Sequence, residues 1–351
     1  MRSVEVKIED VAFGGAGVGR LNGKAVFVPF TIDGETVSAR VVREKKQFAE
    51  AMLEQVIEPS PNRTTPECPY FGRCGGCSYQ HMAYEHQLAI KTKQVEQALR
   101  RIGRLDPPPM RPIIPSPKAY YYRNRVTVHA HRGAIGYYRR DVHRLIDVER
   151  CPIAAPEVNE KLTELRARKP RDGHYTLRAH RGPRVFEQTN ELVAEILALL
   201  LEGFLGRGGR LLIDAYCGAG FFAKRLIRNF EQVVGIEWDR HAVAAARETA
   251  TTSETYIAGD VEVELPRQLW AADPAVTSVI VDPPATGLSA NTRRALLDRA
   301  PRKVVYVSCN PATLARDLLE LKQQFGLVSV TPLDMFPQTA EIEVAVHLRQ
   351  L

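Results

Sequence analysis

The first 58 residues alternate between apolar and polar side chains, a period of two that predicts β-strands. The alternation is clearest in VEVKIEDVA, AVFVPF, ETVSARVVRE and AEAMLEQVIE, and the glycines of FGGAGVGRLNGK predict tight turns. Short strands joined by glycine turns favour a small closed barrel of the OB type, which commonly binds nucleic acid. We discount a phosphate loop at GGAGVG, because no helix pattern follows it and the P-loop Lys-Ser/Thr pair is absent from the sequence.

Residues 59–185 combine a loop rich in proline and cysteine, one helix and a set of strands. Apolar side chains at helical spacing, among them Leu88, Val95 and Leu99, predict a helix over residues 84–104. The prolines of DPPPMRPIIPSP predict an extended linker, and YYYRNRVTVHAHRGAIGYYRRDVHRLIDV predicts antiparallel hairpins. The arginine, histidine and tyrosine residues of these hairpins suit contact with RNA phosphates and bases. An ordinary exposed sheet face has a similar composition, so this alternative stays open.

From residue 186 onwards, apolar strands alternate with helices. The helix ELVAEILALLLEGFL is followed by the strands RLLIDAY, QVVGIEW, TYIAGD, TSVIVD and KVVYVSC, and by a last pair near LVSVTPLD and EIEVAVHL. This alternation of strands and helices predicts an α/β fold with a mostly parallel, doubly wound, Rossmann-like sheet. We therefore predict three domains: a barrel over 1–58, a small β-rich central domain over 59–185 and an α/β domain over 186–351.

Positive charge is concentrated in the middle of the chain. The formal net charge is +7, yet residues 100–184 alone contain 20 Lys and Arg against 8 Asp and Glu. This excess predicts a phosphate-binding surface, for which solvated surface arginine is the alternative. The N-terminal residues lack a signal-peptide pattern and no apolar run is long enough to span a bilayer, so we expect a cytoplasmic protein with no membrane contact. Six cysteines in that reducing compartment should be thiols, metal ligands or catalysts.

Acidic residues follow three successive strands of the predicted α/β domain. Asp214 precedes a turn in which Gly218 and Gly220 allow close approach of the backbone to a ligand at a helix N-terminus. Glu237 ends the next strand, where it can bind ribose hydroxyls, and Asp260 ends the third, where it suits an adenine amino group. This pattern fits S-adenosylmethionine, whose sulfonium is positive. A nicotinamide dinucleotide stays open although the full glycine fingerprint is absent, as does simple helix capping by the acids.

Asp282 and Cys309 follow the fourth and fifth strands, so the sheet topology places them in the same crevice as the cofactor. A helix beginning after Pro311 should lower the pKa of the Cys309 thiol. A thiolate that adds to C6 of uracil turns C5 into a carbon nucleophile able to accept a methyl group. A base must then remove the C5 proton. Glu343 is our candidate, because its apolar neighbours should raise its pKa.

Several motifs resemble those of the RNA 5-methyluridine methyltransferases, which methylate uracil C5 in ribosomal or transfer RNA. They are SCNPATLARDL, DPPATG, DAYCGAGFF, FEQTN and FPQTAEIE. The first 58 residues resemble the RNA-binding TRAM domain of that family. The resemblance implies Cys309 as nucleophile and Glu343 as base. It also implies contacts to S-adenosylmethionine or the reacting base for Gln188, Tyr216, Glu237, Asp260 and Asp282.

The chain departs from the family pattern at three positions. Ala285 stands where arginine is usual, and Gln338 and Glu341 stand where histidines are usual. We expect the core chemistry to survive these changes and the choice of substrate to be affected by them.

Four cysteines outside the α/β domain form a separate candidate site. Cys68, Cys74 and Cys77 have C-x5-C-x2-C spacing and Cys151 is the fourth. Four thiolates suit an iron–sulfur cluster or zinc, although zinc sites more often show two C-x2-C pairs. Resemblance to cluster-bearing TRAM members of the family implies a [4Fe–4S] cluster that is structural or positions RNA.

These observations predict a monomeric enzyme that methylates C5 of a specific uridine in structured RNA, with 23S rRNA favoured over tRNA, after flipping that uridine out. Two alternatives remain: an RNA cytosine-C5 methyltransferase, which typically has a cysteine where Ala285 stands, and a catalytically impaired RNA-binding iron–sulfur protein. A small-molecule methyltransferase is disfavoured by the barrel and the basic middle of the chain.

Overall fold

The computed structural model describes residues 2–140, 142, 144–180 and 188–351, and the chain forms two compact units. The described residues of Met1–Gln94, Ser116–Arg181 and Phe336–Glu341 form unit 1. Those of Val95–Pro115, Gly182–Met335 and Ile342–Leu351 form unit 2. The predicted domain boundary at 185/186 lies outside the described residues, as do the first two residues of FEQTN.

Unit 1 begins with the predicted barrel. Its strands are β1 (Ser3–Val11), β2 (Ala16–Leu21), β3 (Lys24–Pro29), β4 (Thr36–Glu44) and β5 (Phe48–Glu58). They close in the order β1-β2-β3-β5-β4, and β4 pairs with β1. The period of two places Val4, Val6 and Ile8 inside, where they meet Val26 and Val28 from β3. Alternation along each strand therefore builds one small core.

The rest of unit 1 comprises the first part of helix α1, a second helix and a four-stranded sheet. The elements are α1 (Tyr84–Arg101), β6 (Arg125–His131), β7 (Ala134–Tyr138), β8 (Leu145–Asp147), α2 (Pro156–Ala167) and β9 (Gly173–Arg178). Helix α1 begins where predicted but ends at Arg101, three residues early, and its residues from Val95 onwards belong to unit 2. The sheet is antiparallel with order β8-β7-β6-β9. Val126, Val128 and Ala130 on one face of β6 join Val158 of α2 in a core.

Unit 2 is the predicted doubly wound α/β fold. Its helices are α3 (Glu191–Leu205), α4 (Phe221–Leu226), α5 (Arg240–Glu248), α6 (Val261–Ala271), α7 (Ala290–Asp298) and α8 (Pro311–Leu321). Its strands are β10 (Gly209–Ala215), β11 (Phe230–Glu237), β12 (Glu254–Ala258), β13 (Thr277–Val281), β14 (Lys303–Ser308), β15 (Phe325–Leu333) and β16 (Glu343–Gln350). Strand order is β12-β11-β10-β13-β14-β16-β15. The first five strands of this order are parallel, and β16 runs antiparallel to both of its neighbours.

Strand burial in unit 2 explains why its sequence shows continuous apolar runs. Ile213, Val279 and Val304 are fully buried in a core that also receives helix residues such as Leu314 and Leu318. Helices cover both faces of a parallel sheet, so both faces of each strand must be apolar. Among the described residues, none of the helices combines the length and apolar character needed to cross a lipid bilayer.

Candidate active site

The site lies at the edge of the unit 2 sheet where the parallel strands end. Five strands end there, at Ala215, Glu237, Ala258, Val281 and Ser308. The predicted residues that follow or end these strands share this edge: Tyr216, Gly218, Gly220, Glu237, Asp260, Asp282 and Cys309. Strand order reverses between β10 and β13, and this kind of position is where open α/β sheets bind ligands. The topology thus brings the predicted cofactor and chemical residues to one edge.

The side chain of Asp214 stabilises the turn that follows β10. This side chain is fully buried, and its Oδ2 accepts a hydrogen bond from Ala223 N at 3.0 Å. Burial, with smaller contributions from Asp282 and Glu237, raises the pKa of Asp214 to about 8. Gly218 has φ of 54° and open space where a Cβ would stand. Its position therefore leaves the backbone accessible to a ligand.

Glu237 and Asp260 also hold the backbone locally. Glu237 accepts hydrogen bonds from Gly218 N at 3.0 Å and Asp239 N at 2.9 Å. Asp260 is exposed and caps α6 by accepting from Glu262 N at 2.9 Å. Stabilisation of the local backbone, which includes the helix capping considered as an alternative above, is therefore one role of these two carboxylates. A carboxylate has about four acceptor positions, so each retains capacity for a ligand hydroxyl or amino group.

Asp282 begins the loop after β13, residues 282–288, which we call the DPP loop. Its carboxyl group is half-buried, and burial raises its pKa to about 7. Asp282 N donates to Ala215 O at 3.3 Å, which joins the start of this loop to the end of the neighbouring strand. A carboxyl group poised near neutrality at a ligand crevice can act in binding or proton transfer.

Cys309 and Glu343 lie directly beyond the last register pair of the antiparallel strands β14 and β16. Ser308 of β14 is the register partner of Val344 of β16, so the next residues outward along the pair are Cys309 and Glu343. Cys309 is half-buried and Glu343 is buried. Opposite residues in an antiparallel pair project to the same face. The register therefore supports the assignment of a nucleophile and a base to one site.

Asn310 fixes the chain immediately after the cysteine. Its Oδ1 accepts hydrogen bonds from Ala312 N at 3.0 Å and Thr313 N at 3.4 Å and so caps α8. Its Nδ2 donates to Ala285 O at 3.2 Å in the DPP loop. Asn310 was not among the predicted site residues. The signal was present, because Asn followed by Pro is a typical helix start.

The positions that depart from the family pattern have different surroundings. Gln338 belongs to unit 1, where it is buried with φ of 68° and exchanges two 3.1 Å hydrogen bonds with Gln87. Glu341 is exposed, and its backbone N donates to Thr339 Oγ1. Ala285 is exposed in the DPP loop. Gln338 is thus a structural crosslink of unit 1.

Gln188 is the first residue described after the gap at 181–187, and it is half-buried. Two residues later, Asn190 caps α3 by accepting from Val193 N and donates to Met335 O at 3.2 Å. The described part of FEQTN therefore lies at the start of α3, within unit 2. The contact of Gln188 with a cofactor or base stays a prediction.

The four cysteines of the separate candidate site belong to unit 1 and share one electrostatic environment. Burial is the largest cause that raises the pKa of each thiol, and it brings that of Cys77 to about 12. The nearby Cys151 further raises the pKa values of Cys68, Cys74 and Cys77. The thiol of Cys151 is therefore in the same electrostatic environment as the three thiols of the C-x5-C-x2-C stretch.

The spacing of these thiols bears on the kind of metal group they could hold. Within the described ranges, no three His, Cys, Asp or Glu side chains are grouped closely enough to bind a metal ion. In a [4Fe–4S] cluster each thiolate binds a different iron, so the four sulfurs stand further apart than the ligands of one zinc ion. The [4Fe–4S] cluster therefore stays a prediction from the sequence.

Comparisons with known proteins agree with the presence of an N-terminal barrel and a C-terminal α/β domain. The family described as tRNA (Uracil-5-)-methyltransferase matches residues 267–351, and the TRAM domain matches residues 2–53. An uncharacterized RNA methyltransferase of Synechocystis sp. is 30% identical, over 99% of this chain and 95% of that protein. One from Bdellovibrio bacteriovorus is 31% identical over 99% of this chain and 95% of that protein.

Among solved structures, the tRNA (uracil-54, C5)-methyltransferase of Pyrococcus abyssi, in complex with S-adenosyl-L-homocysteine, is similar over the whole chain. The TM-score is 0.75 at 22% identity, over 98% of this chain and 100% of that one. This likeness confirms the predicted fold class, and the TRAM match confirms the identity of the barrel. The chain therefore belongs to the S-adenosylmethionine-dependent RNA (uracil-C5) methyltransferase family and carries a TRAM domain at residues 2–53.

Proposed function

We propose that this protein methylates C5 of a uridine in structured RNA through a covalent bond between Cys309 and uracil C6. The observation that supports the proposal is the register of β14 and β16, in which Ser308 pairs with Val344, because Cys309 and Glu343 are the next residues beyond that pair. Membership of the uracil-C5 methyltransferase family supplies the reaction class.

In the proposed mechanism, the Cys309 thiolate adds to C6, and the C5–C6 π electrons move onto the C4 carbonyl as an enolate. S-adenosylmethionine supplies an electrophilic methyl group. C5 forms the new carbon–carbon bond, and the electrons of the broken sulfur–methyl bond stay with the departing neutral thioether. The Glu343 carboxylate then takes the C5 proton, the C5–C6 double bond re-forms, and the thiolate leaves.

The residues proposed to hold the cofactor are those of the β10 turn and the neighbouring strand ends. Glu237 and Asp260 bind hydroxyl and amino groups, Gly218 and Gly220 leave the backbone accessible, and Asp214 holds the turn. We assign Tyr216, Asp282 and Gln188 to the region between cofactor and base. The raised pKa of Asp282 fits a site that gains a positively charged ligand, because such a charge favours the carboxylate form.

We propose that the central β sheet of unit 1, within the predicted domain 59–185, contacts the RNA. The His129 ring lies 4.5 Å from the ring centroids of Tyr138 and of His174. Arg125 and Arg178 are register partners on the same pair of strands. Aromatic rings can stack on RNA bases, and neighbouring guanidinium groups can bind RNA phosphates. Binding of single-stranded RNA uses both kinds of contact.

We propose that Cys68, Cys74, Cys77 and Cys151 hold a [4Fe–4S] cluster. Buried thiols with raised pKa values are unfavourable as four free thiolates, and the positive charge of iron offsets that cost. Such a cluster would bind the cysteine loop to the residues around Cys151. We assign it no part in methyl transfer.

We propose 23S rRNA as the substrate, following the resemblance to cluster-bearing TRAM members of the family. Incubation with labelled S-adenosylmethionine and separate transcripts of 23S rRNA and tRNA tests this assignment. Label in 5-methyluridine from rRNA supports it, and label only in tRNA contradicts the choice of RNA without affecting the chemistry.

Denaturing gel electrophoresis after incubation with S-adenosylmethionine and RNA containing 5-fluorouridine tests the mechanism. Fluorine at C5 cannot be removed as a proton, so a protein–RNA adduct should persist in the wild type and in the control Asp298→Asn, which changes an exposed side chain of α7. The adduct should be absent from Cys309→Ala. Nucleoside analysis of ordinary RNA separates the rivals: 5-methylcytidine indicates a cytosine enzyme, and no transfer despite RNA binding indicates an impaired one.

A further inference from the structure

A buried carboxylate lies beneath the DPP loop. Asp317, on α8, is fully buried, and its Oδ2 accepts hydrogen bonds from Leu288 N at 2.8 Å and from the Tyr306 hydroxyl at 2.7 Å. Its Oδ1 accepts from Arg293 Nη1 at 3.1 Å and Arg316 Nε at 2.9 Å. Both oxygens are therefore engaged by donors from three other elements. Buried charges with this many partners hold their surroundings in one arrangement.

The same helix also binds the carbonyl groups of the DPP loop. Arg316 Nη2 donates to Thr286 O at 3.0 Å and Leu288 O at 3.2 Å. Ala285 O accepts from Asn310 Nδ2, at the cap of this helix. Three carbonyls of one short loop are thus held by side chains of α8 or its cap. A loop with most of its polar backbone groups satisfied in this way has little freedom to move.

Gly287 shows how closely the loop lies on this network. A Cβ at this position would be 2.6 Å from Asp317 Oδ2 and 2.7 Å from Arg316 Nη2, and its φ of +75° disfavours any other residue. The glycine is therefore required both by backbone conformation and by contact with the carboxylate.

We propose that Asp317 is a positioning residue that holds the DPP loop against the helix following Cys309. The loop begins with Asp282 and the helix is capped by Asn310, so the network fixes the spacing between the cofactor side and the uracil side of the site. The inference rests on the proposed function of Cys309. A fixed spacing matters because a misplacement of about 1 Å between reacting groups costs roughly 100-fold in rate.

The test compares Asp317→Asn with the wild type and with Asp298→Asn. Asp298 is the matched control, because it is exposed on the neighbouring α7 and pairs only with Arg294, at 3.5 Å, in the contacts described for it. Single-turnover methyl transfer is measured at saturating S-adenosylmethionine and RNA and is expressed per folded molecule, with thermal melting as a check. Asp317→Asn should slow transfer by about 10- to 100-fold, with cofactor affinity changed by less than about threefold. The control should match the wild type.

A purely structural role would lower the melting temperature of Asp317→Asn but leave the rate per folded molecule within about twofold of wild type, and that result overturns the proposal. If Asp317→Asn does not fold, Arg316→Lys decides by the same criterion, because it keeps the charge and loses the paired donors to the loop. The Cys309→Ala adduct assay is run in parallel. If Cys309→Ala still forms the adduct, the proposed function itself has failed, whatever Asp317→Asn does.

Discussion

Cysteine residues occupy two contrasting environments in this chain. Cys309 in unit 2 follows a strand end and is succeeded by Asn310, whose side chain caps α8 and binds the DPP loop. The four cysteines of unit 1 share one electrostatic environment, and burial raises the pKa of each, which favours the neutral thiol. The difference shows that the surroundings of a thiol decide its chemistry: the proposed role of Cys309 requires a thiolate near a base, whereas the proposed role of the other four requires the positive charge of a metal group.

The largest effect should come from Glu343→Gln, which removes the proposed base and leaves Cys309 in place. Turnover should fall by roughly 1,000-fold, because the C5 proton can no longer be taken by a carboxylate. The enzyme should instead accumulate as a covalent complex with ordinary, methylated RNA, seen on denaturing gels. Glu341→Gln is the control, since this exposed carboxylate lies two residues away. Fast turnover by Glu343→Gln would show that the base is another group.

The next largest effect should come from Cys77→Ser in the other environment. Anaerobically purified wild type should contain about four iron atoms per chain and absorb visible light, and the variant should lose both. It should also melt at a lower temperature, because ligand binding and folding are coupled. Cys217→Ser, which removes a thiol of unit 2, should keep the iron. Wild-type protein that contains zinc or no iron would contradict the cluster assignment.

The smallest effect concerns the charge of the cofactor pocket. Burial raises the pKa of Asp282 to about 7, so this carboxyl group is mostly protonated below that pH and anionic above it. S-adenosylmethionine, whose sulfonium is positive, should therefore bind several-fold more tightly as the pH rises from about 6 to 8. S-adenosylhomocysteine lacks the sulfonium charge and should show little change.

Fluorescence titration can follow this binding, since Trp238 is 77% exposed directly after Glu237. Trp270, the other tryptophan, lies on α6 and provides the control through Trp270→Phe. Equal pH dependence for both ligands would contradict the role given to the Asp282 carboxylate. Asp282→Asn should reduce the pH dependence for S-adenosylmethionine, and Asp214, whose pKa burial raises to about 8, should account for the part that remains.

The parts of the fold that depend on local pattern could be predicted from the sequence. The central parallel strands β13 and β14 of unit 2 are nearly continuous buried runs, and α3 spans the predicted residues Glu191–Leu205. The early end of α1 at Arg101 shows the limit of periodicity, because Gly103 follows and favours termination. The pairing of β6 with β9, about 50 residues apart, could not be predicted, since long-range pairing depends on tertiary packing.

The residues of the candidate site likewise include some that could be predicted from local pattern and some that could not. Residues at strand ends, such as Glu237 and Cys309, could be located because the topology of a parallel sheet fixes where its strands end. Asp317 could not be recognised, although it lies within SCNPATLARDL. An aspartate in a helix usually faces solvent, and only the folded chain shows its three donors from other elements beside that of the adjacent Arg316.

The pairing of Ser308 with Val344 limits how the sequences of β14 and β16 can change over time. Inserting or deleting one residue within either strand would turn every later side chain to the opposite face of the sheet. Substitutions in these strands preserve the alternation of side chains between the two faces of the sheet, whereas single-residue insertions and deletions do not. Length variation among relatives should therefore concentrate in loops outside both strands and outside the largely buried segment 334–342, and the two strands should keep a constant number of residues up to Cys309 and from Glu343.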